Sequence, residues 1–197
     1  MVHRECEQTI IVEGVAIRGW LEQDPDCSCP LGDDGELKLF ERGRMNYNHS
    51  LLEQYQDDPL AFPIERYEHG LVHYGLRDQG DYPDREWDVS FAGYFILGPN
   101  LIEDHAAYKQ DPWDTVTPEE RLQKQITHCL QEYSDWCNGN CWGWVIEVDG
   151  EDRDSCWGYV GQEYAEERLK EELAEVVEAV KKERQEAKQW EIFHVTG

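Results

Sequence analysis

An α+β fold, an antiparallel twisted sheet with two main helices packed on it, is what this sequence predicts. Three observations point there. Residues 137–160, CNGNCWGWVIEVDGEDRDSCWGYV, place aromatic and β-branched runs on either side of a polar turn with a glycine, the pattern of a β-hairpin. Thr117-Pro118-Glu119-Glu120 supplies a capping threonine, a proline at the first helical position and a glutamate three residues after the cap, which together open a helix. Leu169, Leu173, Val176 and Val180 repeat at steps of four, three and four on an otherwise charged segment, the stripe of a helix that packs on a sheet. With no internal repeat and no dividing linker, residues 1–197 read as one α+β domain.

In chain order, residues 9–21 are rich in Ile, Val and Trp and read as one or two strands about Gly14. Residues 22–35 form a loop, and Leu37, Leu39 and Phe40 a short strand that ends in a turn region from Gly43 to Asn48. Ser50 is positioned to cap a short helix with Leu51, Leu52 and Tyr55 on one face, closed by Asp57-Asp58-Pro59. From Gly70 the pattern is strand-like through Leu71, Val72, His73 and Tyr74; residues four apart on a strand lie roughly 13 Å from one another, so His69 and His73 are expected to be structural. Residues 77–88 make an acidic loop, and Val89 to Leu97 the most apolar strand, central to its sheet and ended by Gly98-Pro99-Asn100. Residues 101–116 read as irregular, with Asp111-Pro112-Trp113-Asp114 as a loop. The helix from Thr117 buries Leu122, Ile126, Cys129, Leu130, Tyr133 and Cys137 and stops at Asn138-Gly139. The last helix starts after Gly161 and runs towards Trp190, with Ile192 to Val195 as an edge strand or a cover for the core.

Composition narrows the function. The 197 residues carry 43 acidic and 18 basic side chains, a net charge of −25, with eight Trp and ten Tyr. Such aromatic content separates the chain from a disordered acidic tail. No cluster of Lys and Arg offers itself to phosphates, so direct nucleic-acid binding is not expected. The field repels nucleic acid and anionic membranes and attracts basic proteins. A plainer source of acidity is adaptation to salt or to a GC-rich genome, which also favours Arg over Lys, here eleven to seven. No apolar run is long enough to span a membrane, and the charged N-terminus lacks the apolar segment of a signal peptide, so a cytoplasmic protein is expected.

Seven cysteines without a secretion signal read as thiols. Cys137, Cys141 and Cys156, or Cys27 with Cys29, are the candidate metal ligands, but neither set has paired C-x-x-C spacing; no metal and no cofactor are expected. An enzyme would have to draw on Glu65, Glu68, His69 and His73, or on the three cysteines with a nearby acid. Neither group has the spacing of a catalytic motif, so the expectation is a protein without catalytic residues.

The hairpin tip crowds Glu147, Asp149, Glu151, Asp152 and Asp154 into eight residues with only Arg153 opposing them. On the last helix Glu163, Glu167, Glu171 and Glu175 stand at i, i+4 spacing, a like-charge row that disfavours the isolated helix and calls for a reason. Duplex DNA presents one phosphate per 3.4 Å of axis on each strand, and a fold that fixes carboxylates at several-ångström intervals imitates it. The expected contact residues are Glu132, Asp135, Glu147, Asp149, Glu151, Asp152, Asp154, Glu163, Glu166 and Glu167, and the expected partner is a basic nucleic-acid-binding protein of a host. The alternative is an interaction module that docks through Trp87, Trp113, Trp142, Trp144 or Trp157 while charge serves solubility. Carboxylates gathered into a band of duplex width favour mimicry; an even spread favours solubility.

The segment Asp154-Ser-Cys-Trp-Gly-Tyr-Val-Gly161, followed by Glu163-Tyr-Ala-Glu-Glu167, resembles small acidic proteins of bacteriophages and mobile elements. In these a helix ending in Trp or Asn-Gly leads to an aromatic hairpin and a D-S-C-W-G-[FY]-x-G turn. The resemblance covers about residues 118–180. It implies no catalytic residue; it implies a setting in which small acidic proteins inhibit host defence, among them DNA mimics of restriction, CRISPR or repair targets.

Overall fold

A computed structural model describes residues 4–111, 113 and 115–195, the last five as backbone. The fold is α+β, with eight strands in two four-stranded antiparallel sheets and five helices among these residues. It gathers into two compact units, where the sequence marks no boundary. One combines residues 1–28 with 139–197, and residues 29–138 form the other as an insertion.

In the first unit β1 (Arg4–Val12) and β2 (Val15–Gln23) pair about the Glu13-Gly14 turn, and β7 (Cys141–Val148) and β8 (Glu151–Val160) form the hairpin. The sheet order is β1-β2-β7-β8, with Trp20 opposite Val145 across the β2–β7 pair. Helix α5 (Gln162–Val195) packs on one face of this sheet. Its stripe of Ala165, Leu169, Leu173, Val176 and Val180 is buried against Ile17, Leu21, Trp142, Trp144 and Ile146. Each Leu and Val of the stripe contributes about 1.5–3 kcal/mol by leaving water, which outweighs the few tenths that like-charge neighbours cost on the outer face. Ile192 to Val195 continue α5 rather than forming an edge strand.

In the second unit β3 (Gly35–Leu39), β4 (Ala61–His69), β5 (Leu71–Leu76) and β6 (Val89–Leu97) assemble in the order β3-β6-β4-β5. The apolar β6 is internal, as its composition requires. Helix α4 (Pro118–Cys137) has the full capping box, with Thr117 Oγ1 accepting from Glu120 N–H and Glu120 Oε2 accepting from Thr117 N–H. Leu122, Ile126, Cys129 and Leu130 of α4 are buried with Ile64, Leu76 and Phe95, while Cys137 is exposed.

Three local expectations change, and one strand lies where none was expected. Helix α1 (Met45–Tyr55) begins at Met45 with no side-chain cap, and Ser50 lies inside it. Strand β4 is internal to its sheet although it contains Pro63, a residue that argues against a central strand. The 77–88 loop closes in a helical turn, α2 (Arg85–Asp88). The stretch read as irregular opens with α3 (Pro99–Ala107), led by a proline at its start. Pro112 and Asp114 of the expected loop lie outside the described residues.

The histidine pair is also corrected. The chain turns at Gly70, so His69 ends β4 and His73 lies on β5, opposite Tyr67. The two are diagonal neighbours, a relation that spans about 7–8 Å rather than 13 Å, and the Tyr67 ring stacks on both.

Candidate interaction surface

The hairpin is fixed by its register and its core face. Trp142, Trp144, Ile146 and Val148 point to α5, and Trp144 Nε1 donates to Tyr159 Oη at 3.2 Å. The turn consists of Asp149 and Gly150, both in the left-handed region at φ 52° and 87°, the conformation of a two-residue I′ turn.

The tip carboxylates divide by role. Glu147 is half-buried and accepts from Arg18 of β2 at 2.7 Å. Asp149 Oδ1 accepts from Ala16 N–H at 2.9 Å, and its other oxygen lies 3.9 Å from Arg184. These two acids tie the turn to β2 and α5. Glu151, Asp152 and Asp154 are exposed; Asp154 Oδ1 accepts from Ser155 N–H at 2.8 Å. Arg153 reaches away to Glu183 of α5 at 2.7 Å. Among the described residues no cation pairs with Glu151, Asp152 or Asp154.

Of the remaining expected contacts, three stand apart from the tip within the same unit. Glu163, Glu166 and Glu167 lie at the start of α5, beyond the far end of β8 from the turn, roughly 30 Å away by strand rise. Glu166 pairs with Lys170 at 2.8 Å, which lowers its pKa; Glu163 and Glu167 are exposed, and Lys170 also feels the charge of Glu167. Glu132 and Asp135 belong to α4 in the other unit, Glu132 at 3.8 Å from His128 and Asp135 accepting from Gln131 at 3.2 Å.

The structure gives one of the candidate aromatics a defined seat. Trp157, 46% exposed, lies flat over Gly143 on the sheet face opposite α5. A Cβ at Gly143 would come within 2.2 Å of Cε3 of that ring, so the close seat requires glycine. A shift in the β7–β8 register between Trp142 and Trp144 turns Trp157 to this face, and Gly158 N–H donates to Asp24 Oδ2 at 2.9 Å. Beside the ring is a groove of about 410 Å³ lined by Val145, Asp152, Arg153, Asp154, Ser155 and Trp157. The signal in the sequence is a glycine opposite a tryptophan in a hairpin, readable only once the register is known.

The other candidate groups make the following contacts. Glu65 is buried and pairs with the part-exposed Arg85, Glu68 pairs with Arg66 at 2.7 Å, and His69 Nδ1 lies 3.0 Å from Asp88. Cys141 is buried, whereas Cys156, opposite Trp144, is exposed. Among the described residues no three His, Cys, Asp or Glu side chains converge as metal ligands, and no helix is long and apolar enough to cross a membrane. Comparison with protein-family models, curated proteins and solved structures finds no match.

Proposed function

We propose that this is a cytoplasmic acidic binding protein that occupies the basic groove of a nucleic-acid-handling protein of a host, in defence or repair, where nucleic acid would otherwise lie. It acts by contact alone, without catalysis. The observation that carries this reading is the solvent side of α5. Glu163, Glu167, Glu171 and Glu175 are all exposed there, opposite the buried stripe. At 1.5 Å per residue they recur every 6 Å or so along a rigid axis, a spacing suited to cations that line a phosphate-binding groove. Arg168 engages Glu171 and Glu172, so the row is densest in negative charge at Glu163, Glu167 and Glu175.

The bulk charge supports a more general role. Residues 1–28 with 139–197 hold 21 acidic and nine basic side chains, and residues 29–138 hold 22 and nine. Both units therefore add to the long-range attraction of a basic partner. The half-exposed Trp157 favours a second reading, an interaction module with an aromatic anchor.

The test is capture of partners from a bacterial lysate, followed by competition of the captured protein with duplex DNA. Mimicry expects DNA to be displaced, binding to fall steeply with salt, and reversal of Glu163, Glu167, Glu171 and Glu175 together to weaken binding far more than any single change. A captured partner that binds DNA normally in the complex overturns it. Salt-insensitive binding lost on Trp157→Ala supports the second reading instead.

A further inference from the structure

We propose that Trp157 with Asp152 and Asp154 forms a receptor for one arginine side chain of the basic partner; this rests on the partner class proposed above. The ring is held in advance. One face is packed on the Gly143 backbone, where no side chain intervenes, and the ring remains 46% exposed. An aromatic face presented to a groove attracts a cation through its quadrupole. Asp152 and Asp154 also line the groove, together with Val145.

The groove's own cation is turned away. Arg153, which contributes to the lining, directs its guanidinium to Glu183 at 2.7 Å. A visiting cation therefore meets acceptors that no described side chain neutralises. A planar guanidinium can stack on the indole while donating sideways to a carboxylate, whereas an ammonium satisfies one demand at the expense of the other. The occupant is an arginine rather than a lysine. This contact differs in kind from the summed charge of α5, since it depends on a single ring.

The probe is the tripeptide acetyl-Gly-Arg-Gly-amide, titrated into the full-length ¹⁵N-labelled protein and followed by NMR, with the Lys and Gln counterparts as controls. The Trp157 indole and the Gly143 and Ser155 amides should shift saturably, with affinity for the Arg peptide about three- to tenfold above the Lys peptide. Trp157→Ala should remove that saturable response while amide shifts away from the groove keep the spectrum of the folded protein. Trp157→Phe should retain part of the affinity, and Asp152→Asn with Asp154→Asn should weaken it. A response that is linear in peptide, or confined to α5, or equal in Trp157→Ala overturns the receptor. If a captured partner is displaced by DNA yet binds Trp157→Ala as well as the parent, the receptor fails and the proposed function stands. If the arginine response is saturable but no partner competes with DNA, the proposed function fails and the receptor stands.

Discussion

Ser134, on the buried face of α4, accepts a hydrogen bond from the backbone N–H of Tyr74 on β5 at 2.8 Å, and its hydroxyl donates to Leu130 O at 2.6 Å. One turn on, Asn138 repeats the arrangement: its side chain accepts from Val72 N–H at 2.9 Å and donates to Val72 O at 2.8 Å. Strand β5 is at the edge of its sheet, and an uncovered edge is a template for unwanted pairing. Here two helix side chains take the place of a fifth strand.

Ser134→Ala should therefore destabilise the unit by about 1 kcal/mol, because the part-buried Tyr74 N–H is left without its acceptor. Chemical denaturation gives the stability, and hydrogen exchange at Tyr74 should quicken more than at β6. Unchanged exchange at Tyr74 would show that the edge is protected by other means.

Glu65 makes the second such tie. It is 2% exposed and accepts from both terminal nitrogens of Arg85 and, at 3.0 Å, from Asp78 N–H. Arg85 also donates to Gly80 O at 2.8 Å, and Tyr82 stacks on Tyr67 with centroids 4.7 Å apart. These contacts strap residues 77–88 to β4. Glu65→Ala should cost about 1–3 kcal/mol, below the figure for a fully buried pair because Arg85 still reaches water. Proteolysis should cut the variant first within 77–88; resistance equal to that of the parent protein would refute the strap.

Cys129 gives a pH dependence with a defined sign. Burial, aided by the negative charges of Asp34 and Glu132, pushes its thiol up from 9.0 to about 11. The folded state thus favours the neutral form, and this contribution is complete below the unfolded value and lost as pH rises from about 9 through about 11. Urea unfolding from pH 8 to 11 should show a steeper loss for the parent protein than for Cys129→Ala. Parallel slopes would remove Cys129 as the cause. At pH 8 alkylation should label the exposed Cys29 and Cys156 before Cys129.

The local elements were legible because their causes are local. Thr117 and Glu120 lie within one turn of each other, Leu169 to Val180 declare a buried stripe by period alone, and Asp149-Gly150 carries its own turn. The α+β class followed from these. Tertiary structure alone decided that β2 pairs with β7, since Trp20 and Val145 meet across the whole inserted unit and no periodicity encodes such a partner. It decided that the Gly70 turn places His69 and His73 on two strands, where one apolar run suggested one. The tip followed the same logic. Five acids in eight residues read as a uniform charge, but Arg18 and Arg184, each more than thirty residues away, bind two of them. Trp157 finds its seat on Gly143 only through a register shift. Residue type and spacing set what each segment forms; long-range pairing sets what its side chains meet, because that depends on which strands win the competition to be neighbours.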